Sequence, residues 1–106
     1  MNLIDYVKLG NFNKIQELIA QGVDLNVQDE YGYTPLIWAT SYSKPDIVKL
    51  LLDAGADDEI KDVNMHNALF WAYYYGRPEV IEIFNKNLGS KNLSDKKILT
   101  RKKKGK

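Results

Sequence analysis

Cysteine is absent from this 106-residue chain, histidine occurs once, at His66, and proline three times. Without cysteine there is no disulfide, no thiolate nucleophile and no thiolate ligand for zinc. His66 has no serine evidently paired with it, and no carboxylate–histidine set has a recognisable catalytic spacing. There is no glycine-rich phosphate loop. Asp57-Asp58-Glu59 is a dense acidic run, but its spacing fits no calcium loop. The expectation is therefore a chain without catalysis, metal or cofactor. No apolar run reaches the ~18 residues that a membrane-spanning helix needs. Met1-Asn2-Leu3-Ile4-Asp5 lacks a basic leader followed by an apolar core, so no signal peptide is expected. The expected location is cytoplasmic, or nuclear in a eukaryotic host.

What is present is ordinary in amount and unusual in arrangement. The composition is 44% hydrophobic and 27% charged, which suits one small folded domain. Charge is not spread evenly. Residues 1–85 carry six basic and thirteen acidic side chains, whereas residues 86–106 carry nine basic side chains and Asp95 alone. A formal −7 is thus joined to a formal +8.

The chain repeats itself every 33 residues. Leu3, Leu36 and Leu69 align, as do Tyr6, Ala39 and Ala72, then Ile15, Val48 and Ile81, then Leu18, Leu51 and Phe84. Gly10, Ser43 and Gly76 mark one bend; Gly22 and Gly55 mark another. Apolar, turn and acidic positions recurring together identify a repeat array.

In the middle copy Thr34 is a helix N-cap with Pro35 at the first helical position. Leu36, Ala39 and Thr40 form a stripe narrow enough for a neighbouring helix to come close. Pro45 and Asp46 start a second helix, apolar over most of its circumference, which Gly55 ends. The third copy substitutes Asn67 for the threonine cap and places Asn85 and Asn87 on its outer helix, as suits a last unit. The first copy has lost its opening turn and begins directly with a helix, roughly Leu3 to Leu9. Six helices are expected. Residues 92–95 align with Asn26–Asp29, so the tail resembles the opening of a fourth unit that Arg101 and the lysines after it do not continue.

A unit reading Asp29-x-x-Gly32-x-Thr34-Pro35-Leu36, then two short helices, then Leu50-Leu51-Leu52-x-x-Gly55-Ala56-Asp57, resembles the ankyrin repeat. The match is close in the middle and looser on both sides; Ile37, Thr40 and Ser43 depart from it. The resemblance implies an all-α solenoid of helix–turn–helix pairs joined by short β-hairpin-like loops. Residues 1–88 would be the repeat domain, with units at about 1–28, 29–61 and 62–88, followed by a basic tail at 89–106. It also implies binding of another protein on a concave face of loop tips and inner helices. That face would present Glu30, Tyr31, Tyr33, Trp38, Ser41 and Tyr42, then Val63, Asn64, His66, Trp71, Tyr74 and Tyr75.

The rings are the best functional signal, since interface hot spots favour Trp and Tyr. Trp38 and Trp71 share one repeat position and should sit side by side at the rim of the groove. Packing of the rings against one another is the plainer alternative. Asp24, Asp29, Glu30, Asp57, Asp58, Glu59 and Asp62 cluster near the loops and would attract a basic partner segment; their plainer role is side-chain hydrogen bonding to turn backbone. Lys96, Lys97, Arg101, Lys102, Lys103 and Lys104 give a second route, binding of nucleic acid or an anionic surface through the tail. A monomer is expected, with weak self-association through uncapped repeat ends as the other reading.

Overall fold

The computed structural model describes residues 1–87. Five helices run α1 Leu3–Leu9, α2 Phe12–Ala20, α3 Pro35–Ser41, α4 Pro45–Asp53 and α5 Ala68–Tyr74, and residues 78–87 form a sixth, α6. The expected basic tail, and the stretch resembling a fourth unit, lie outside the described residues.

The caps set where each helix begins. Thr34 Oγ1 accepts the Ile37 N–H at 3.1 Å, and Asn67 Oδ1 accepts the Phe70 N–H at 2.9 Å. Asn2 and Asp5 exchange side-chain and backbone hydrogen bonds as a reciprocal capping box. The repeat register places Met1, not Asn2, opposite Thr34. Helix α1 therefore starts one residue later than its copies, because asparagine caps and methionine cannot. Helix α4 has no side-chain cap and relies on Pro45 and the acid in its first turn, Asp46.

Helix α3 packs between α1 and α5, while α2 and α4 each back onto the inner helix of their own unit. Ala39 and Ala72 are fully buried, so small residues let the inner helices approach. Leu3, Val7, Ile15, Leu36, Ile37, Ile47, Val48, Leu51 and Val80 fill the core around them. With fully burying a large aliphatic side chain worth ~1.5–3 kcal/mol, these residues dominate what holds the pairs together.

The loops are tight turns rather than strands. Asp29 O accepts the Gly32 N–H at 2.9 Å, and the Asp29 N–H donates to Tyr33 O at 3.0 Å. Asp62, Met65 and His66 repeat both bonds at 2.9 Å. Successive loops are also joined. The Val63 N–H donates to Tyr31 O at 3.0 Å, and the Gln28 amide donates to both Gly32 O and Lys61 O. Gly32 has φ 77°, and a Cβ built there would lie 2.8 Å from Val63 N. Its counterpart Met65 adopts φ 68° with a side chain attached.

The left-handed region costs a non-glycine residue roughly 1–2 kcal/mol, partly offset by glycine's extra chain entropy. Met65 is 70% exposed, so little packing is at stake. Met65→Gly is expected to raise the unfolding free energy by about 0.5–1 kcal/mol. A rise in urea midpoint at unchanged slope would show it.

Candidate functional site

The site is built from two loops and the inner helices that follow them. In the second and third units an aspartate opens the loop and a tryptophan stands nine residues later. Asp29 Oδ1 accepts the N–H groups of Tyr31 and Tyr33 at 2.9 and 3.0 Å, and its Oδ2 accepts the Trp38 indole N–H at 2.7 Å. Asp62 does the same for Asn64, His66 and Trp71, at 2.9, 3.0 and 2.8 Å. One carboxylate therefore shapes the turn and fastens the ring beside it. Charge-assisted bonds of this kind are roughly twice as strong as neutral ones.

Asp62 is buried, and burial pushes its carboxyl up. The hydrogen bonds from His66, Trp71 and Asn64, with the nearby imidazole, outweigh that and hold it below its ordinary value of 3.8. Burial, then Asp62, Tyr75, Asp29 and Tyr31, push the Tyr33 phenol above 10.0, so it keeps its proton at neutral pH.

The two indoles are separated by Tyr33, whose ring lies 5.2 Å from Trp38 and 5.9 Å from Trp71, edge-on to both. Around this row Tyr31 touches Tyr33, Tyr42 touches Trp38, and Tyr74 and Tyr75 touch Trp71 at 5.3 and 5.5 Å. The indoles and Tyr33 are half-buried. Tyr31, Tyr42, Tyr74 and Tyr75 are 52%, 45%, 66% and 45% exposed. Packing and presentation thus fall to different rings.

The remaining expected site residues are less uniform. Glu30, Val63 and Asn64 are exposed at the loop tips, and Ser41 is half-buried, its carbonyl accepting Arg77 Nη2 at 3.1 Å. His66 is half-buried and stacks on Phe70 at 3.7 Å, while its edge meets Trp71.

Two participants, Phe70 and Lys8, were not foreseen from the sequence, nor was the bond from each loop aspartate to its tryptophan. Asp29 and Asp62 look like ordinary turn acids until the shared nine-residue spacing to tryptophan is noticed. Phe70 occupies the register of the fully buried Ile37 yet is 38% exposed. It extends the ring row by stacking on Tyr74. Lys8 places its ammonium 4.2 Å from the centre of the Trp38 ring. That contact joins the first unit to the second, and no local pattern announces it.

Comparison with known proteins agrees with this architecture. The family described as ankyrin repeats (3 copies) matches residues 3–95. Ankyrin repeat domain-containing protein SAT10 of Stachybotrys chartarum is 40% identical over 50 residues, covering 47% of this chain and 3% of that protein. The human ankyrin repeat, SAM and basic leucine zipper domain-containing protein 1 is 37% identical over 45 residues, 42% of this chain and 10% of its own length. The chain thus spans a small fraction of these relatives. Among solved structures, the ankyrin repeat protein EF0377 superposes with a TM-score of 0.75 at 34% identity, covering 78% of this chain and 45% of that one. By profile, sequence and shape together, the chain belongs to the ankyrin repeat family.

Proposed function

We propose that the chain is a non-catalytic binding module that holds a protein partner against the ring-lined face formed by its loops and by α3 and α5. Ankyrin repeats generally mediate protein–protein interaction. The observation that supports this face is the division between fastened indoles and exposed tyrosines. Rings held from below lose little freedom when a partner covers them, which lowers the entropic cost of binding.

The exposed tyrosines allow a cleaner test than the indoles, whose loss would also loosen the loops. Purified partner from the native host should bind Tyr42→Ala/Tyr74→Ala at least about 30-fold more weakly, the ~2 kcal/mol that a single hot-spot residue supplies. The circular dichroism of the variant should match the parent. Unchanged affinity would sink this reading.

The charge step at residue 86 favours one second reading, binding of nucleic acid or an anionic surface through the basic tail. Deleting residues 96–106 and titrating salt separates the two. Tail-driven binding is lost on deletion and falls steeply with ionic strength.

A further inference from the structure

We propose that the partner segment taken by this face is basic, with a lysine or arginine side chain laid against Trp71 and Tyr74. The inference rests on the binding reading above and names the chemistry of what binds. Its first support is internal. Lys8 already seats its ammonium on Trp38, so one indole of the row carries a cation within the fold. The Arg77 guanidinium lies over the Tyr75 ring at 5.4 Å. Ring faces attract cations through their quadrupole, and tryptophan does so best.

The two indoles are prepared alike. Each donates its N–H to a carboxylate, which draws the N–H dipole outward and leaves the ring richer in electrons. They differ in what covers them: Lys8 lies on Trp38, whereas Tyr75 stacks on Trp71 and no cation is seated on it among the described residues. Ser41 stands one repeat after Lys8, and a hydroxymethyl group cannot reach across as a four-carbon stem does. Tyr74 beside Trp71 remains 66% exposed. Charge agrees with this. Residues 1–87 carry thirteen acidic against seven basic side chains, with Glu30 exposed at one loop tip and Asp62 behind Trp71. The local field of this body draws basic segments and repels acidic ones, while the +8 of residues 86–106 brings the whole chain to a formal +1.

The probe is a fluorescein-labelled decapeptide of alternating lysine and glycine, titrated into the full 106-residue chain and followed by polarisation. Its acetyl-lysine counterpart, equal in length but uncharged along its side chains, should bind far more weakly. Tyr74→Ala should weaken the lysine peptide about 2- to 5-fold, the value of an exposed cation–ring contact. Lys8→Gln, which uncovers Trp38 and removes a like charge, should tighten it by a similar factor. Equal binding of lysine and acetyl-lysine peptides overturns the proposal, as does a Lys8→Gln variant that binds no tighter. So does a ten-residue oligothymidine that displaces the peptide and depends on Tyr74, for that would assign the rings to base stacking. If Tyr42→Ala/Tyr74→Ala abolishes binding of the native partner while the lysine peptide ignores the face, the basic-segment inference alone falls.

Discussion

Asp62→Ala is expected to lower the unfolding free energy by about 3 kcal/mol, since three charge-assisted hydrogen bonds end on that carboxylate. Domains of this size have only ~5–15 kcal/mol to lose. At about 4–8 °C per kcal/mol, the melting temperature should fall by at least 12 °C. Asp62→Asn discriminates between shape and charge. Its amide oxygen can still accept the Asn64 and His66 N–H groups, but its NH2 then confronts the indole N–H, two donors with no acceptor between them. The asparagine variant should therefore lose about 2 kcal/mol, with a change in near-ultraviolet dichroism from the released Trp71.

The same carboxylate gives a sign for the pH dependence. Its value is depressed in the folded chain, so its contribution is complete above the ordinary 3.8 and fades as pH falls through the lower folded value. Urea midpoints of the parent should drop below about pH 4 by a margin that Asp62→Asn lacks. A parallel fall in both proteins would refute the assignment.

The second large effect is expected at Gly32→Ala, again about 3 kcal/mol. Two costs combine. The backbone at φ 77° disfavours any Cβ by roughly 1–2 kcal/mol. That Cβ would also stand 2.8 Å from Val63 N and 2.9 Å from Asp62 Cα, which are backbone atoms unable to yield like a side-chain end. To relieve the contact the loops must part, and the Val63–Tyr31 hydrogen bond stretches with them. Overpacking adds ~1–3 kcal/mol. Gly22→Ala is the matched control: its φ is 82°, yet nothing lies within 4 Å of the added carbon. A loss there as great as at Gly32 would show that backbone strain alone matters.

Much of the fold was legible because a 33-residue echo exposes its own grammar. Thr34, Asn67 and the helix-starting prolines fix helix starts by local chemistry, and Leu36, Ala39 and Val48 mark the buried stripe by spacing. The ring row was legible as a set. Its internal order was not. Tyr33 lies between the indoles and touches both, an arrangement that the expectation of two tryptophans side by side did not include. That outcome depends on how far one loop leans over the next helix, which no residue pattern within a single unit encodes. Lys8 on Trp38 is a contact of the same kind, set by the offset between stacked units. Phe70 shows the converse case. Its register copies Ile37, yet Ile37 is fully buried and Phe70 is 38% exposed, so identity of position does not guarantee identity of surroundings.

The contrast between Gly32 and Met65 also sets a rule for anyone lengthening this array. Inserting copies of residues 29–61 ahead of Asp62 keeps a hydrogen at every new junction where consecutive turns must nestle. Adding a unit after the third instead meets the Met65 side chain at the seam, at the position where Gly32 lets the following turn's main chain pass. Chain growth from the third unit is thus poisoned at one carbon, and a single Met65→Gly exchange reopens it.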